Sequence, residues 1–179
     1  MRVIATRLSD LLERNDKRTV KEYLGGFRCT RDADLQDFLW NKAIMYEDKG
    51  RSRTYLFVDA DADGRIVGYV TLSMTRISVT AKSVLTGGII RKMDLHNGET
   101  VGYLIGQMAK DDTVTEHIGR TMLKFSENML YTSYRQNGGR VICIDCKKEL
   151  LEFYAQEGFT LVEPEPNERS GLYRLVKLF

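Results

Sequence analysis

Between Thr30 and Gly50 apolar side chains recur at Leu35, Phe38, Leu39, Ala43 and Tyr46, a rhythm that predicts a helix with one buried face. Thr30 or Asp32 is placed to cap its start, and Gly50 falls just past its end. TYLFVD and RIVGYVTLS are rich in β-branched and aromatic residues, and the Asp-Ala-Asp-Ala-Asp-Gly between them is turn chemistry, so Thr54 to Ser73 reads as a β-hairpin. Arg76 to Gly98 has room for a strand and a loop without a clear period. GYLIGQMAK, Gly102 to Lys110, reads as a strand buried on both faces, followed by the polar turn DDTVTE. From His117 to about Gln136 the residues Ile118, Met122, Phe125 and Met129 are spaced by 4, 3 and 4. That spacing predicts a helix on the order of 30 Å long, stopped by Gly138 and Gly139. RVICID follows as a short buried strand, KKELLEFYAQ as a helix punctuated by Gly158, and FTLV and LYRLVKLF as two further strands. The order is helix, hairpin, strand, helix, strand, helix, strand, strand. It predicts an α/β (α+β) fold, a mixed central sheet flanked by helices on both faces.

At 179 residues, with only Pro164 and Pro166 and no Pro/Gly/Ser-rich linker, the chain is expected to form a single domain spanning 1–179. An apolar fraction of 42% excludes a disordered chain. The 27 basic against 25 acidic residues give a formal charge of +2, which permits a nucleic-acid partner without arguing for one. The N-terminal MRVIATRLSDLLERN lacks the apolar core of a signal peptide. No apolar run approaches the roughly 20 residues of a membrane span. With an odd set of three cysteines, these features predict a cytoplasmic protein with free thiols and no membrane partner.

Few patterns carry chemistry by themselves. Asp59, Asp61, Asp63 and Gly64 imitate the opening of a calcium loop, but Val70 stands where a bidentate Glu is needed and the following residues alternate as a strand. A solvated hairpin turn is expected there. Cys143 and Cys146 form a C-x-x-C, yet Cys143 lies within an alternating strand rather than at an exposed helix start, so both are expected to be core thiols. His96 and His117 have no spacing suited to a metal or a triad, and no metal site is expected. Trp40 lies at core spacing on its helix.

The second half is more specific: a buried strand, a polar turn into a long helix, a second strand, then a helix bearing Phe153-Tyr154 and ending in Gly158-Phe159. This succession resembles the GNAT superfamily of acyl-CoA-dependent N-acyltransferases over most of the chain. Leu104-Ile105-Gly106-Gln107-Met108-Ala109-Lys110 is similar to its central strand and Phe153-Tyr154-x-x-x-Gly158-Phe159 to its C-terminal signature. In the first half Phe27-x-Cys29, Asp34-Leu35-x-x-Phe38-Leu39-x-x-x-Ala43, Arg53-Thr54-Tyr55 and Ile66-Val67-Gly68-Tyr69-x-Thr71-Leu72-Ser73 resemble one branch of it, which includes bacterial and mobile-element enzymes. The diphosphate loop departs from the pattern Gln/Arg-x-x-Gly-x-Gly/Ala. With its second glycine on Gly119, Val114 replaces the Gln/Arg and His117 the first glycine.

The resemblance implies acetyl-CoA as cosubstrate, a primary amine as acceptor, and a homodimer among the partners. It places the cofactor on Gln107, Met108, Ala109 and Lys110 and on the loop Val114, Thr115, Glu116, His117, Ile118, Gly119 and Arg120. The pantetheine arm is expected in a V between the strands at Gln107–Lys110 and Val141–Asp145, a backbone N–H near Met108 is expected to meet the oxyanion, and Tyr154 to protonate the departing thiolate. Asp111, Asp112 and Glu116 are expected to set negative charge beside an anionic ligand, offset in part by Lys110 and Arg120. Two further readings follow from the same likeness: a toxin-type acetyltransferase acting on aminoacyl-tRNA, the one case that brings in nucleic acid, and a binding module without turnover.

Overall fold

In the computed structural model, which describes residues 1–179, three elements precede the first expected helix: β1 (Val3–Arg7), α1 (Leu8–Arg14) and α2 (Lys17–Leu24). β1 leaves most of its side chains exposed and so carries no apolar signature; its pairing with β2 (Arg53–Asp59) is what makes it a strand. The helix expected from Thr30 to Gly50 forms as α3 (Ala33–Asp37), a π-turn (Phe38–Lys42) and α4 (Ala43–Asp48). Asp32 is its cap, accepting the Leu35 N–H, and Gly50 closes it at φ +64°. Trp40 Nε1 donates to the Phe27 carbonyl at 3.0 Å, a packing role.

β2 pairs antiparallel with β3 (Arg65–Ser78), and the register shifts between Phe57 and Val58, leaving Val67 as an extra residue in β3. In the acidic turn, the Asp59 carboxylate accepts the N–H groups of Arg2 and Asp61, while Asp63 and Gly64 have positive φ. The indistinct stretch resolves into the end of β3 and α5 (Gly87–Met93), capped by Thr86.

β4 (Glu99–Lys110) begins three residues before the expected strand and is not buried on both faces: Leu104, Gly106, Gln107, Met108 and Lys110 are half-buried. After it come α6 (Gly119–Asn137), β5 (Val141–Cys146), a 3-10 turn (Lys148–Leu150), α7 (Leu151–Gln156), β6 (Thr160–Leu161) and β7 (Tyr173–Leu178). The seven strands are ordered β1-β2-β3-β4-β5-β7-β6. β5 runs parallel to β4, whereas β1–β2, β2–β3, β5–β7 and β6–β7 pair antiparallel, so the sheet is mixed as expected.

The chain packs as two compact units, Met1–Ser73 with Gln107–Ser126 and Met74–Gly106 with Glu127–Phe179. In the first, strand alternation splits β2 between two layers. Leu56 and Val58 join Ile66, Tyr69 and Ala109 against Leu8, Leu24, Phe27, Leu39 and Ala43. Tyr55 and Phe57 turn the other way and meet Phe125 of α6 edge-on, each at 5.2 Å. Gly68 is opposite Phe57 and faces the same helix; a Cβ there would lie 2.6 Å from Met122 Sδ and 3.0 Å from the Ala109 carbonyl. The first turns of α6 therefore rest directly on the backbone of β3. In the second unit Ile77, Val141, Cys143 and Val176 form a core with Leu85, Met93 and Val162. No helix is long and apolar enough to cross a membrane.

Candidate active site

The last residues of β4 are fixed by bonds toward β3. The Gln107 N–H donates to Thr71 Oγ1 at 2.9 Å and the Asp111 N–H to the Val67 carbonyl at 2.9 Å, while the Ala109 carbonyl lies against Gly68. Peptide groups alternate in direction along a strand. Met108 and Lys110 accordingly turn their N–H groups away from β3, toward the other edge of β4. That edge pairs with β5 only from Tyr103 to Ile105, against Ile142 to Ile144, and β4 runs on beyond this ladder to Lys110. Ile142, Cys143 and Ile144 are engaged by β4 on one edge, and Val141 through Cys146 by β7 on the other.

The loop from Asp111 to Ile118 is organised by its acids and by Lys110. Asp111, 3% exposed, accepts the Arg28 N–H at 2.7 Å and both the N–H and hydroxyl of Thr113. Asp112 accepts the Thr30 N–H at 2.7 Å, a bond that holds its carboxyl below the usual range, and donates its own N–H to the Arg28 carbonyl. Glu116 is held low by its own backbone N–H and by the Thr115 hydroxyl. Asp111 and Asp112 are thus committed to backbone amides of the 28–30 segment and the loop, which adds an anchoring role to the negative charge expected from them.

Ala109, Val114 and Ile118 are buried, which leaves these three only backbone groups to offer a ligand; Thr115, Glu116, His117 and Arg120 are exposed and Gly119 half-buried. The first helical bond of α6 runs from Met122 N–H to the Ile118 carbonyl, so the amides of Gly119 and Thr121 have no acceptor within the helix. Gly68, Thr71 and Asp111 were not singled out as site residues from the sequence. An isolated glycine inside a strand pattern was the one available signal of close approach; the roles of Thr71 and Asp111 depend on partners 36 and 83 positions away.

Tyr154, in the second unit, is the fourth residue of α7 and 5% exposed, its ring against Phe153 at 5.0 Å and Phe159 at 5.8 Å. Its hydroxyl has no partner within the protein, yet the enclosed unpartnered side-chain atoms are only Ser52 Oγ and Thr54 Oγ1, so the Tyr154 oxygen keeps access to solvent. Burial, with Cys146 nearby, raises its pKa, which keeps the phenol protonated. In the same unit a cavity of about 430 Å³ is lined by Asp145, Glu163, Glu165 and Arg174, with Arg174 forming a two-point pair to Asp145 at 2.8 and 2.7 Å. A second, of about 510 Å³, carries Arg91, Lys92 and Arg140 beside Asp94 and Tyr134.

All three cysteines are free and buried, and Cys146 is the last residue of β5 rather than the head of a helix. Burial raises Cys143 from 9.0 to about 12 and Cys146 from 9.0 to about 11, the opposite of an activated thiol. A thiol reagent at pH 8 is expected to label none of them in the native protein and all three after denaturation. Because the folded state resists thiol ionisation, this part of its stability is complete below pH 9.0 and declines as pH rises through about 11 to 12. Urea unfolding midpoints at pH 8 and 10.5 measure that decline.

The mixed sheet, the parallel β4–β5 pair that stops at Ile105, and the loop leading from β4 into the N-terminus of α6 define the GNAT acetyltransferase fold. No protein-family model and no curated protein matches the chain. Among solved structures, a tyrosine-to-phenylalanine mutant of KacT matches with a TM-score of 0.76 and 18% identity, over 99% of this chain and 95% of that chain. AtaT complexed with acetyl-methionyl-tRNAfMet matches at 0.74 and 17%, over 99% and 94%. AtaTR bound with AcCoA matches at 0.66 and 16%, over 98% and 92%. At such identities the likeness establishes the fold.

Proposed function

We propose that the chain is an N-acetyltransferase that moves the acetyl group of acetyl-CoA to a primary amine by direct attack. The observation that carries this reading is the end of β4, where the Met108 amide faces away from β3 and the strand runs into a loop of backbone donors above the α6 N-terminus. Pantetheine amides suit an unpaired strand edge, and a diphosphate suits the amides of Thr115, His117, Gly119 and Thr121. The acceptor, with an amine pKa of about 10.4, first loses a proton to water or a carboxylate. Its nitrogen then bonds to the thioester carbon while the oxyanion accepts a hydrogen bond from the Met108 N–H, and the carbon–sulfur bond breaks as the nitrogen releases its second proton to water. Tyr154 gives its phenolic proton to the sulfur and regains one from solvent.

Acetyl-CoA is expected to stabilise the folded protein by about 2.7 kcal/mol at a hundredfold excess over Kd. Melting curves with acetyl-CoA and with desulfo-CoA, followed by a turnover assay, test this. An unmoved melting point removes the acetyl-CoA reading; binding without acetyl transfer to any amine leaves a module that holds the coenzyme.

A second reading, transfer to the amino group of an aminoacyl-tRNA, is supported by the Arg91, Lys92 and Arg140 groove with Tyr134 alongside, a suitable surface for phosphates and a base, and by the likeness to AtaT complexed with acetyl-methionyl-tRNAfMet. The cavity lined by Asp145, Glu163 and Glu165 favours a small cationic amine instead. Competing a polyamine against aminoacyl-tRNA in one reaction separates the two.

A further inference from the structure

We infer that Lys110 is a positioning residue for the coenzyme diphosphate: its ammonium gathers two carbonyls of the loop and so turns the loop's amides toward the ligand. This deepens the acetyl-CoA reading and rests on it. Lys110 Nζ donates to the Val114 carbonyl at 2.6 Å and to the Glu116 carbonyl at 3.2 Å. A trans peptide is planar, with its C=O and the next N–H pointing in opposite directions. Drawing the Val114 and Glu116 carbonyls to Lys110 therefore points the Thr115 and His117 N–H groups away from it. The ammonium is held in register because Lys110 ends β4 and its neighbours Ala109 and Asp111 are fixed against β3.

The loop needs such a device. Val114 stands where a long polar side chain is usual in the resembling superfamily, and it is 4% exposed, turned into the core. His117 replaces a glycine, so the backbone lacks the freedom to settle around an anion by itself. Lys110 imposes from the strand the conformation that the loop's own residues no longer specify, and Asp111 anchors the other side of the same loop.

The test compares acetyl-CoA with acetyl-pantetheine, the same thioester without the diphosphate, in wild type, Lys110→Gln and Lys110→Met. Lys110→Met is expected to lower the preference for acetyl-CoA, the ratio of the two kcat/KM values, by roughly tenfold, the order of a charge-assisted hydrogen bond. Lys110→Gln, which keeps one donor, is expected to fall between. The nitrogen-15 signal of the Lys110 ammonium is expected to hold its position as wild type is saturated with acetyl-CoA. An unchanged preference in Lys110→Met overturns the inference, as does an ammonium signal that moves with ligand, which would make Lys110 a direct phosphate contact. A ratio is read, so a general loss of folded protein cancels. Wild type that binds neither thioester overturns the acetyl-CoA reading itself, and this role with it.

Discussion

Tyr154→Phe is expected to lower kcat by about a hundredfold, the low end of the range for acid–base catalysis. The low end applies because a thiol with a pKa near 8.5 already leaves readily, so a proton from a weaker acid speeds its departure only in part. Two features favour a measurable loss. The hydroxyl has no partner within the protein and keeps solvent access, and burial favours its protonated form. The substitution leaves the ring against Phe153 and Phe159, so the melting temperature and the KM for acetyl-CoA are expected to hold. Stopped-flow release of CoA on a true acceptor measures the rate. Full turnover in the variant would make Tyr154 a packing residue of α7 and leave thiolate protonation to water.

Asp111→Ala is expected to cost about 2–4 kcal/mol of stability, the order for a buried carboxylate with several charge-assisted bonds. The side chain accepts the Arg28 N–H and both donors of Thr113, and at 3% exposure no water takes its place at once. The loop would then lose its anchor to the 28–30 segment, and affinity for acetyl-CoA is expected to fall with stability. Urea unfolding gives the first quantity and calorimetric titration the second. A variant as stable as wild type would show that the Arg28 and Thr113 amides find other partners, and that the loop holds its shape without this carboxylate.

The sequence determined elements whose side chains report their own surroundings. Leu35, Phe38, Leu39 and Ala43 sit at helical spacing because one face is buried, and Ile118, Met122 and Phe125 do the same in α6. Gly138 and Gly139 marked the end of α6 because only positive φ, +77° and +84°, lets the chain turn there. The order of these elements was enough to indicate the mixed sheet. β1 was invisible because an exposed edge strand has no apolar period and depends on β2 for its hydrogen bonds. The half-buried end of β4 was misjudged because an apolar run looks the same whether helices cover both faces or one edge stays open.

Tertiary structure alone decided the character of the loop between β4 and α6. Read along the chain, Asp111, Asp112 and Glu116 are three charges repelling an anion. In the fold Asp111 and Asp112 bind the amides of Arg28, Thr30 and Thr113, and Lys110 spends its charge on carbonyls. Accepting backbone N–H groups fixes where these two carboxylates sit and makes them anchors of the loop. The Arg28 and Thr30 amides arrive from a segment some eighty positions away, a distance over which local sequence carries no information.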